Sequence, residues 1–316
     1  MLYLQSIGGF VLLFAGGEFL VRGAVALARR AGLSPLLIGM TIVAAATSSP
    51  ELVVSLDAAL AGQPDIAVGN VVGSNIANVL LILGGAALIS PILVNRLAIR
   101  RDALVTVVAS AALMLVALDG RVSRPEGVFF LLALVAYGAF SYWLESRRGS
   151  PAAALHEGES EQLAALPQEL PLTLLALALG LGALLVGAQL LLAGSTGLAR
   201  SWGVPEAIIG LTVVAVGTSL PELATSLAAA ARGQADIAVG NVLGSSLFNI
   251  LGILGVVSVV HPVRVATGIA AFDIPVALGA LLLVVLLLLL RGRIQRPAGA
   301  ALLLLYVAYA AWRYLG

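Results

Sequence analysis

Thr47-Ser48-Ser49-Pro50-Glu51-Leu52 and Thr218-Ser219-Leu220-Pro221-Glu222-Leu223 stand 171 positions apart, each embedded in apolar sequence. Each places a carboxylate, hydroxyls and a helix-breaking proline where a lipid-facing helix cannot carry them, which marks both as functional positions. The surrounding composition makes the bilayer the relevant solvent. Hydrophobic residues form 60% of the 316-residue chain and charged residues 10%, against about 25% charged in an ordinary soluble domain. Stretches long enough to cross a hydrocarbon core of about 30 Å recur with short breaks.

Ten spans are expected, at 2–29, 34–61, 65–90, 97–118, 125–144, 170–199, 205–231, 236–260, 267–290 and 297–315. The first apolar run lacks the basic start of a cleavable leader and is read as a retained span. The polar stretch Glu145 to Glu169, with Arg147, Arg148, Pro151, His156, Glu157, Glu159 and Glu161, reads as a solvated tether. With no cysteine there is neither a disulfide framework nor a thiolate metal site.

The repeat extends far beyond the opening phrase. Residues 39–84 and 210–255 share 29 identities in 46 ungapped positions, among them Asn70/Asn241, Ser74/Ser245 and Asn78/Asn249. The same offset pairs Gly16 with Gly187, Glu18 with Gln189 and Asp102 with Asp273; one inserted residue then pairs Tyr137 with Tyr309. Each half is therefore five spans long, 1–144 and 170–316, joined by the linker 145–169. An odd number of spans makes the second half enter the membrane from the opposite side. The expected fold is an all-α polytopic membrane protein of ten transmembrane helices in two inverted five-helix repeats, with helices 2, 3, 7 and 8 forming a central ion-binding core.

All 17 basic residues are arginine. If the loop after span one is cytoplasmic, that side holds eleven arginines and the other five, with Arg22 inside span one. Arginine excess on the cytoplasmic side puts both termini outside and the central linker inside.

Pro50 and Pro221 cannot donate to Ala46 and Gly217, so each helix breaks in mid-membrane. Carbonyls freed there, the Thr47, Ser48, Thr218 and Ser219 hydroxyls, and the Glu51 and Glu222 carboxylates are all oxygen donors. Such a set suits Na⁺ and Ca²⁺ and disfavours zinc or copper. In Gly69-Asn70-Val71-Val72-Gly73-Ser74 through Asn78, and Gly240-Asn241-Val242-Leu243-Gly244-Ser245 through Asn249, serine and asparagine share a helix face four residues apart. The glycines beside them allow close helix approach. Serine and asparagine also serve packed membrane helices as interhelical hydrogen-bonding groups. Asp65 and Asp236, at the starts of spans, read as N-caps, while Glu18 and Asp57, lacking an acidic repeat partner, read as structural or gating groups.

Two ionised carboxylates about 5 Å apart repel by roughly 3 kcal/mol at an effective dielectric near 20. A divalent cation, several monovalent ones or protons must therefore neutralise them. If only neutralised forms switch between the two faces, ions competing for the pair become coupled in exchange.

These phrases, each followed by Gly-Asn-Xaa-Xaa-Gly-Ser and Asn, resemble the two α-repeats of the sodium/calcium exchanger family, most closely its short prokaryotic members. The resemblance covers all ten spans. It implies that Glu51, Glu222, Thr47 and Thr218 bind Ca²⁺. It implies further that Na⁺ sites use these with Ser48, Ser74, Ser219, Ser245 and the carbonyls of Ala44 and Ala215, while Asn78 and Asn249 flank the centre. It also implies electrogenic antiport, no enzymatic activity, no permanently bound cofactor, and spans one and six sliding as a gating pair. The implied partners are the transported ions and the lipid bilayer, with no nucleic acid and no obligate protein partner, in a prokaryotic plasma (inner) membrane. The chain departs from the family at Ala46, where glycine is usual, and at Asn249, where potassium-dependent relatives carry aspartate. A Ca²⁺/H⁺ antiporter using the same glutamates is the alternative, although such relatives usually carry Gly-Asn in place of Gly-Thr-Ser before the glutamate.

Overall fold

The computed structural model describes residues 1–148, 169–203 and 215–315. Most of the tether and the segment 204–214 therefore lie outside the described residues, including His156, Glu157, Glu159 and Glu161 and the start of the second α-repeat. Span one is the helix Leu2–Ala31, span four Arg96–Val116, span five Arg124–Arg148, span six Leu170–Ser201 and span ten Arg296–Leu315. Span nine runs from a π-helical turn, Ile269–Asp273, into Ile274–Arg291. Among the described residues, seven helices are long and apolar enough to cross a membrane, and the broken second span makes eight. Large apolar side chains lie exposed along them, including Phe10, Phe14, Val108, Leu132 and Leu286. This is the outside of a fold that lipid covers.

Spans one and six pack against each other through glycines in steps of seven residues. A Cβ at Gly9, Gly16, Gly180 or Gly187 would lie 2.4–2.8 Å from backbone of the facing helix. Only glycine permits such contact, so the two backbones touch along one seam, with Leu177 and Leu184 set against Gly23 and Gly16. Gly17, on the flank of span one, meets Ala224 of span seven.

The repeats interlock at their last helices. Span ten packs on span three, where Gly84 and Gly299 approach each other's carbonyls; span five packs on span eight, where Gly127 and Gly255 do the same. Two short antiparallel clips reinforce this: β1 (Ile92–Leu93) pairs with β4 (Arg293–Ile294), and β2 (Arg121–Val122) with β3 (Val263–Arg264). Arg296 donates to Leu88 O and Ile89 O, and Arg124 donates likewise to Val259 O and Val260 O. Each repeat thus satisfies the open helix ends of the other.

The capping expectation for Asp65 and Asp236 is corrected. Gln63 and Gln234 occupy the cap positions, and the carboxylates fall in the first turns of Pro64–Ile76 and Ala235–Leu247. Proline at 64 is preorganised for the first helical position, which starts span three before Asp65. The aspartates face the positive helix end from within the turn instead.

Candidate functional site

Span two runs through Pro35–Ile38, a π-helical turn at Gly39–Val43 and Ala44–Thr47, then breaks at Ser48 and resumes as Ser49–Leu60, bent by 46°. Span seven shows the matching break, between Ala215–Gly217 and Leu220–Ala231. Ser48 (φ −82°, ψ 8°) and Ser219 (φ −88°, ψ 9°) share one non-helical conformation. Two prolines at equivalent positions have imposed the same backbone twice.

The freed carbonyls differ. Ser49 Oγ donates to Ala46 O at 2.7 Å, replacing the proline's missing donor; its repeat partner is Leu220, which has no hydroxyl. Ala44 O accepts the Ser48 amide at 2.9 Å and lies 3.4 Å from Thr47 Oγ1.

Side chains at the two breaks cross over. Ser48 Oγ donates to Glu222 Oε1 at 2.7 Å, while Ser219 Oγ lies 3.1 Å from Glu51 Oε1 and 3.2 Å from Ser74 Oγ. Each glutamate is therefore held by the serine of the opposite repeat. Thr47 Oγ1 reaches Asn241 Oδ1 at 3.3 Å, and Thr218 Oγ1 reaches Asn70 Oδ1 at 3.4 Å. Glu51, Glu222, Thr47, Ser48, Ser74, Ser219, Ser245, Asn78 and Asn249 are all buried, and Thr218 is half-buried. Hydrogen-bond contacts bring Glu51, Ser74 and Ser219 together, and Ser48 with Glu222, while Thr47 and Thr218 meet asparagines of the opposite repeat; Ser245, Asn78 and Asn249 are buried without a hydrogen-bond contact to these groups, and the side chain of Ala215 lies outside the described residues.

Two residues in this network carry more than the sequence reading gave them. Asn70 Nδ2 donates to Glu51 O and to Ser55 Oγ, at 3.3 and 3.0 Å, and Asn241 Nδ2 does the same to Glu222 O and Ser226 Oγ. The amide spans the two segments of its own repeat and presents its oxygen to the threonine of the other. The available signal was an identical asparagine exactly conserved in spacing from the glutamate within this one chain, nineteen residues on in both repeats. The second is Asn75. Its Nδ2 donates to Ser246 O at 3.3 Å, and its Oδ1 accepts Asn249 Nδ2 at 2.9 Å. A backbone carbonyl only accepts, so it fixes the Asn75 amide, which in turn fixes that of Asn249 with its oxygen turned away from Asn75.

Asn78 and Asn249 lie in π-helical turns, Ala77–Ile82 and Phe248–Ile253. Such turns widen a helix locally and recur at functional sites. Among the candidate residues, Glu51 Oε2, Glu222 Oε2, Ser245 Oγ, Asn249 Oδ1 and both amide atoms of Asn78 are buried without a hydrogen-bond partner. Orphaned polar atoms at this density are costly in a bare protein interior. Oxygens dominate the set, with two carboxylates among them, which is cation-binding chemistry.

The centre differs in its exposure towards the two ends of the molecule. Gly69, Asn70 and Gly73 of span three are half-buried, whereas Gly240, Asn241 and Gly244 of span eight are buried. Beside the first group lies a cavity of about 350 Å³, lined by Asp65, Gly69, Gly73, Asp273, Tyr309 and Arg313 among others.

The family model described as sodium/calcium exchanger protein matches residues 1–143 and 172–315. The putative antiporter CaxA of Alkalimonas amylolytica is 39% identical over 307 residues, covering 95% of both chains. The inner membrane protein YrbG of Escherichia coli K12 is 38% identical over 313 residues, covering 96% of this chain and 93% of its own. A solved structure of the sodium-calcium exchanger NCX_Mj superposes with a TM-score of 0.84 at 32% identity, covering 98% of this chain and 99% of that one. With the paired broken helices and their crossed carboxylates set in a multi-pass membrane fold, these matches across both repeats make the chain a member of the sodium/calcium exchanger family.

Proposed function

We propose that the oxygens gathered around Glu51 and Glu222 hold the transported ions, and that the chain uses them to exchange Na⁺ for Ca²⁺ by alternating access. The observation that carries this reading is the set of unpartnered buried oxygens at the centre, Glu51 Oε2, Glu222 Oε2, Ser245 Oγ, Asn78 Oδ1 and Asn249 Oδ1. Ca²⁺ takes the two carboxylates with Thr47 and Thr218. Na⁺ ions share those carboxylates and add Ser48, Ser74, Ser219, Ser245 and the carbonyls of Ala44 and Ala215. Asn78 and Asn249 flank the centre without charge.

Because each glutamate is held by the opposite repeat, neither half forms the site alone. An ion bound there stabilises the contact between repeats and biases which face is open, as coupled exchange requires. The glycine seam between spans one and six, where Leu177 and Leu184 rest against Gly23 and Gly16, keeps the two backbones in contact and supports their moving as a pair. The cavity beside Gly69 and Gly73 supports access from the end that carries the C-terminus. Arginine distribution supports placing that end outside and the linker inside, in a prokaryotic plasma membrane like that of the relative YrbG.

The test is ⁴⁵Ca²⁺ uptake into proteoliposomes under an imposed Na⁺ gradient, compared with an imposed pH gradient. Uptake that follows the Na⁺ gradient and generates a membrane potential is expected. Uptake driven by the pH gradient alone overturns the choice of Na⁺ as coupling ion.

A further inference from the structure

At the end of the molecule where spans nine and ten join, a second cavity of about 570 Å³ is lined by Arg96, Arg291, Arg293, Gln295, Leu287 and Leu290, with Pro297 and Ala298. The backbone assembles it. The β1–β4 clip, extended by the Val94 amide donating to Gly292 O, lays the loop between spans three and four on the turn after span nine. Gly292 has φ +64°, and a Cβ there would lie 2.9 Å from Arg96 Nε. The glycine both makes the turn and leaves room for Arg96 to lie across it, beside Arg291 and Arg293.

Arg296, on the same turn, caps the end of span three through Leu88 O and Ile89 O. Arg96, Arg291 and Arg293 have no hydrogen-bond or ion-pair partner among the described residues, and no carboxylate lines the cavity. The equivalent turn in the first repeat shows that the scaffold does not need the charges of Arg96 and Arg291, while Arg121 matches Arg293. There Gly120 (φ +76°) precedes the β2–β3 clip, and Arg124 caps span eight as Arg296 caps span three. Yet Asp119 stands in place of Arg291, Thr267 in place of Arg96, and Glu126 in place of Ala298. Arg121 pairs with Asp119 at 3.6 Å, so at that face an acidic residue offsets it.

Three guanidinium groups without a partner among the described residues, beside an apolar wall, are complementary to a phosphodiester carrying acyl chains. Leu290 in the wall is 63% exposed, and Leu93 and Leu97, either side of Arg96 in sequence, are 63% and 81% exposed. We propose that this cavity binds the headgroup of an anionic phospholipid, phosphatidylglycerol or cardiolipin, with Arg96, Arg291 and Arg293 on the phosphate and the leucines along the chains. Guanidinium forks match phosphate geometry, and basic pockets between membrane helices at the interface take such lipids. The bound lipid ties the loop after span three to the turn after span nine and so clamps one repeat to the other. The proposal stands whatever ion the centre carries.

Native mass spectrometry of the full purified chain tests it, with cardiolipin, phosphatidylglycerol, phosphatidylcholine and inorganic phosphate as probes. The wild type is expected to retain both anionic lipids over phosphatidylcholine. The triple variant Arg96→Gln/Arg291→Gln/Arg293→Gln should bind them roughly a hundredfold more weakly, while Arg121→Gln/Arg264→Gln at the opposite end keeps them. Cardiolipin should raise the melting temperature of the wild type and not of the triple variant. If the triple variant fails to fold, Arg96→Gln and Arg293→Gln singly should each give a partial loss. Equal lipid retention by wild type and the arginine variants, or equal retention of phosphatidylcholine, overturns the proposal. Full displacement by millimolar inorganic phosphate also overturns it, in favour of a soluble phosphate ligand.

Discussion

The two repeats present the same residues to the candidate site, yet the helices that carry them are buried to different extents. In span eight, a Cβ at Gly240 would lie 2.6 Å from Leu36 O, and one at Gly244 2.4 Å from Met40 Cα. In span three, Gly69 and Gly73 are only half-buried, and the stretch 207–211 that matches Leu36–Met40 lies outside the described residues. The closed end is also pinned from outside the core: Glu145 accepts from Ser34 N and Oγ, and Tyr137 donates to Asp102 Oδ1 at 3.0 Å with Met40 Sδ 3.4 Å from its hydroxyl. Shared residues therefore define the chemistry, while the neighbours of the shared helices define which end is sealed. For a carrier that alternates, the second set must be able to exchange roles without changing the first.

The largest effect should come from the residues on which the halves do not differ. Glu51→Gln and Glu222→Gln each remove one charge from the pair and leave the other buried without its counterpart. Both are expected to reduce Na⁺-driven Ca²⁺ uptake by more than about a hundredfold, since loss of a charged ligand at a buried site costs several kcal/mol. Equal loss fits one site built from two halves. Transport by either variant at wild-type rate would show that the crossed carboxylates are not the ion site.

Next in size is the pair Gly244→Ala and Gly73→Ala. The first drives a methyl group into span-two backbone, which cannot give way as a flexible side chain would. Overpacking of this kind costs about 1–3 kcal/mol, and a lower melting temperature in detergent is expected. Gly73→Ala adds its methyl group at a half-buried position and should melt closer to the wild type. If the two ends exchange roles during turnover, however, Gly73 must take the packed position, and its methyl group should then slow uptake without lowering stability. Identical behaviour of the two variants in both assays would remove the asymmetry from the functional account.

A smaller change is expected from Asn75→Ala. Its repeat partner is Ser246, whose hydroxyl bonds within its own helix to Val242 O, so only the first repeat supplies an amide relay. Without it, the Asn249 amide is free to turn its NH₂ toward the cations. Roughly threefold to tenfold weaker ion binding follows from loss of one buried hydrogen bond, read by calorimetric titration. Unchanged affinity would mean that Asn249 holds its orientation unaided.

The broken helices were legible because membrane sequence has so little freedom. Pro50 with Glu51, and Pro221 with Glu222, break rules that lipid enforces, and repetition excludes accident. The crossing of Ser48 to Glu222 was not legible, since a serine next to a glutamate in sequence offers no reason to serve a glutamate 174 residues away. It follows only once inverted symmetry sets the two breaks face to face. The π-helical turns around Asn78 and Asn249 left no local sign, because an α-helix and a helix with one wider turn share an apolar pattern. The exchange of last helices, span ten onto span three and span five onto span eight, was equally hidden. Gly84, Gly127, Gly255 and Gly299 mark those contacts, but a glycine in an apolar run does not name the backbone it faces.

Glu18 offers the finest test of the difference between the ends. Its carboxylate pairs with Arg22 one turn away and with Arg232, which follows span seven at the closed end. The tie joins a helix of the glycine seam to the end of a broken helix. Its repeat equivalents are Gln189 and Ala61, so the open end has no such ion pair. Glu18→Gln should therefore loosen the closed end alone. The group is partly exposed, with 23% of its side-chain surface accessible, and ion pairs in that setting contribute about 1 kcal/mol or less. The expected shift in the balance between the two faces is thus no more than about fivefold. The chain has no cysteine, so a single cysteine introduced at Ala235, near the start of span eight, gives a clean labelling signal. Labelling there should rise in Glu18→Gln, whereas Gln189→Glu, which acquires a carboxylate with no arginine at position 61 to meet it, should leave the rate unchanged. A rise in both, or in neither, would show that the tie does not distinguish the two ends.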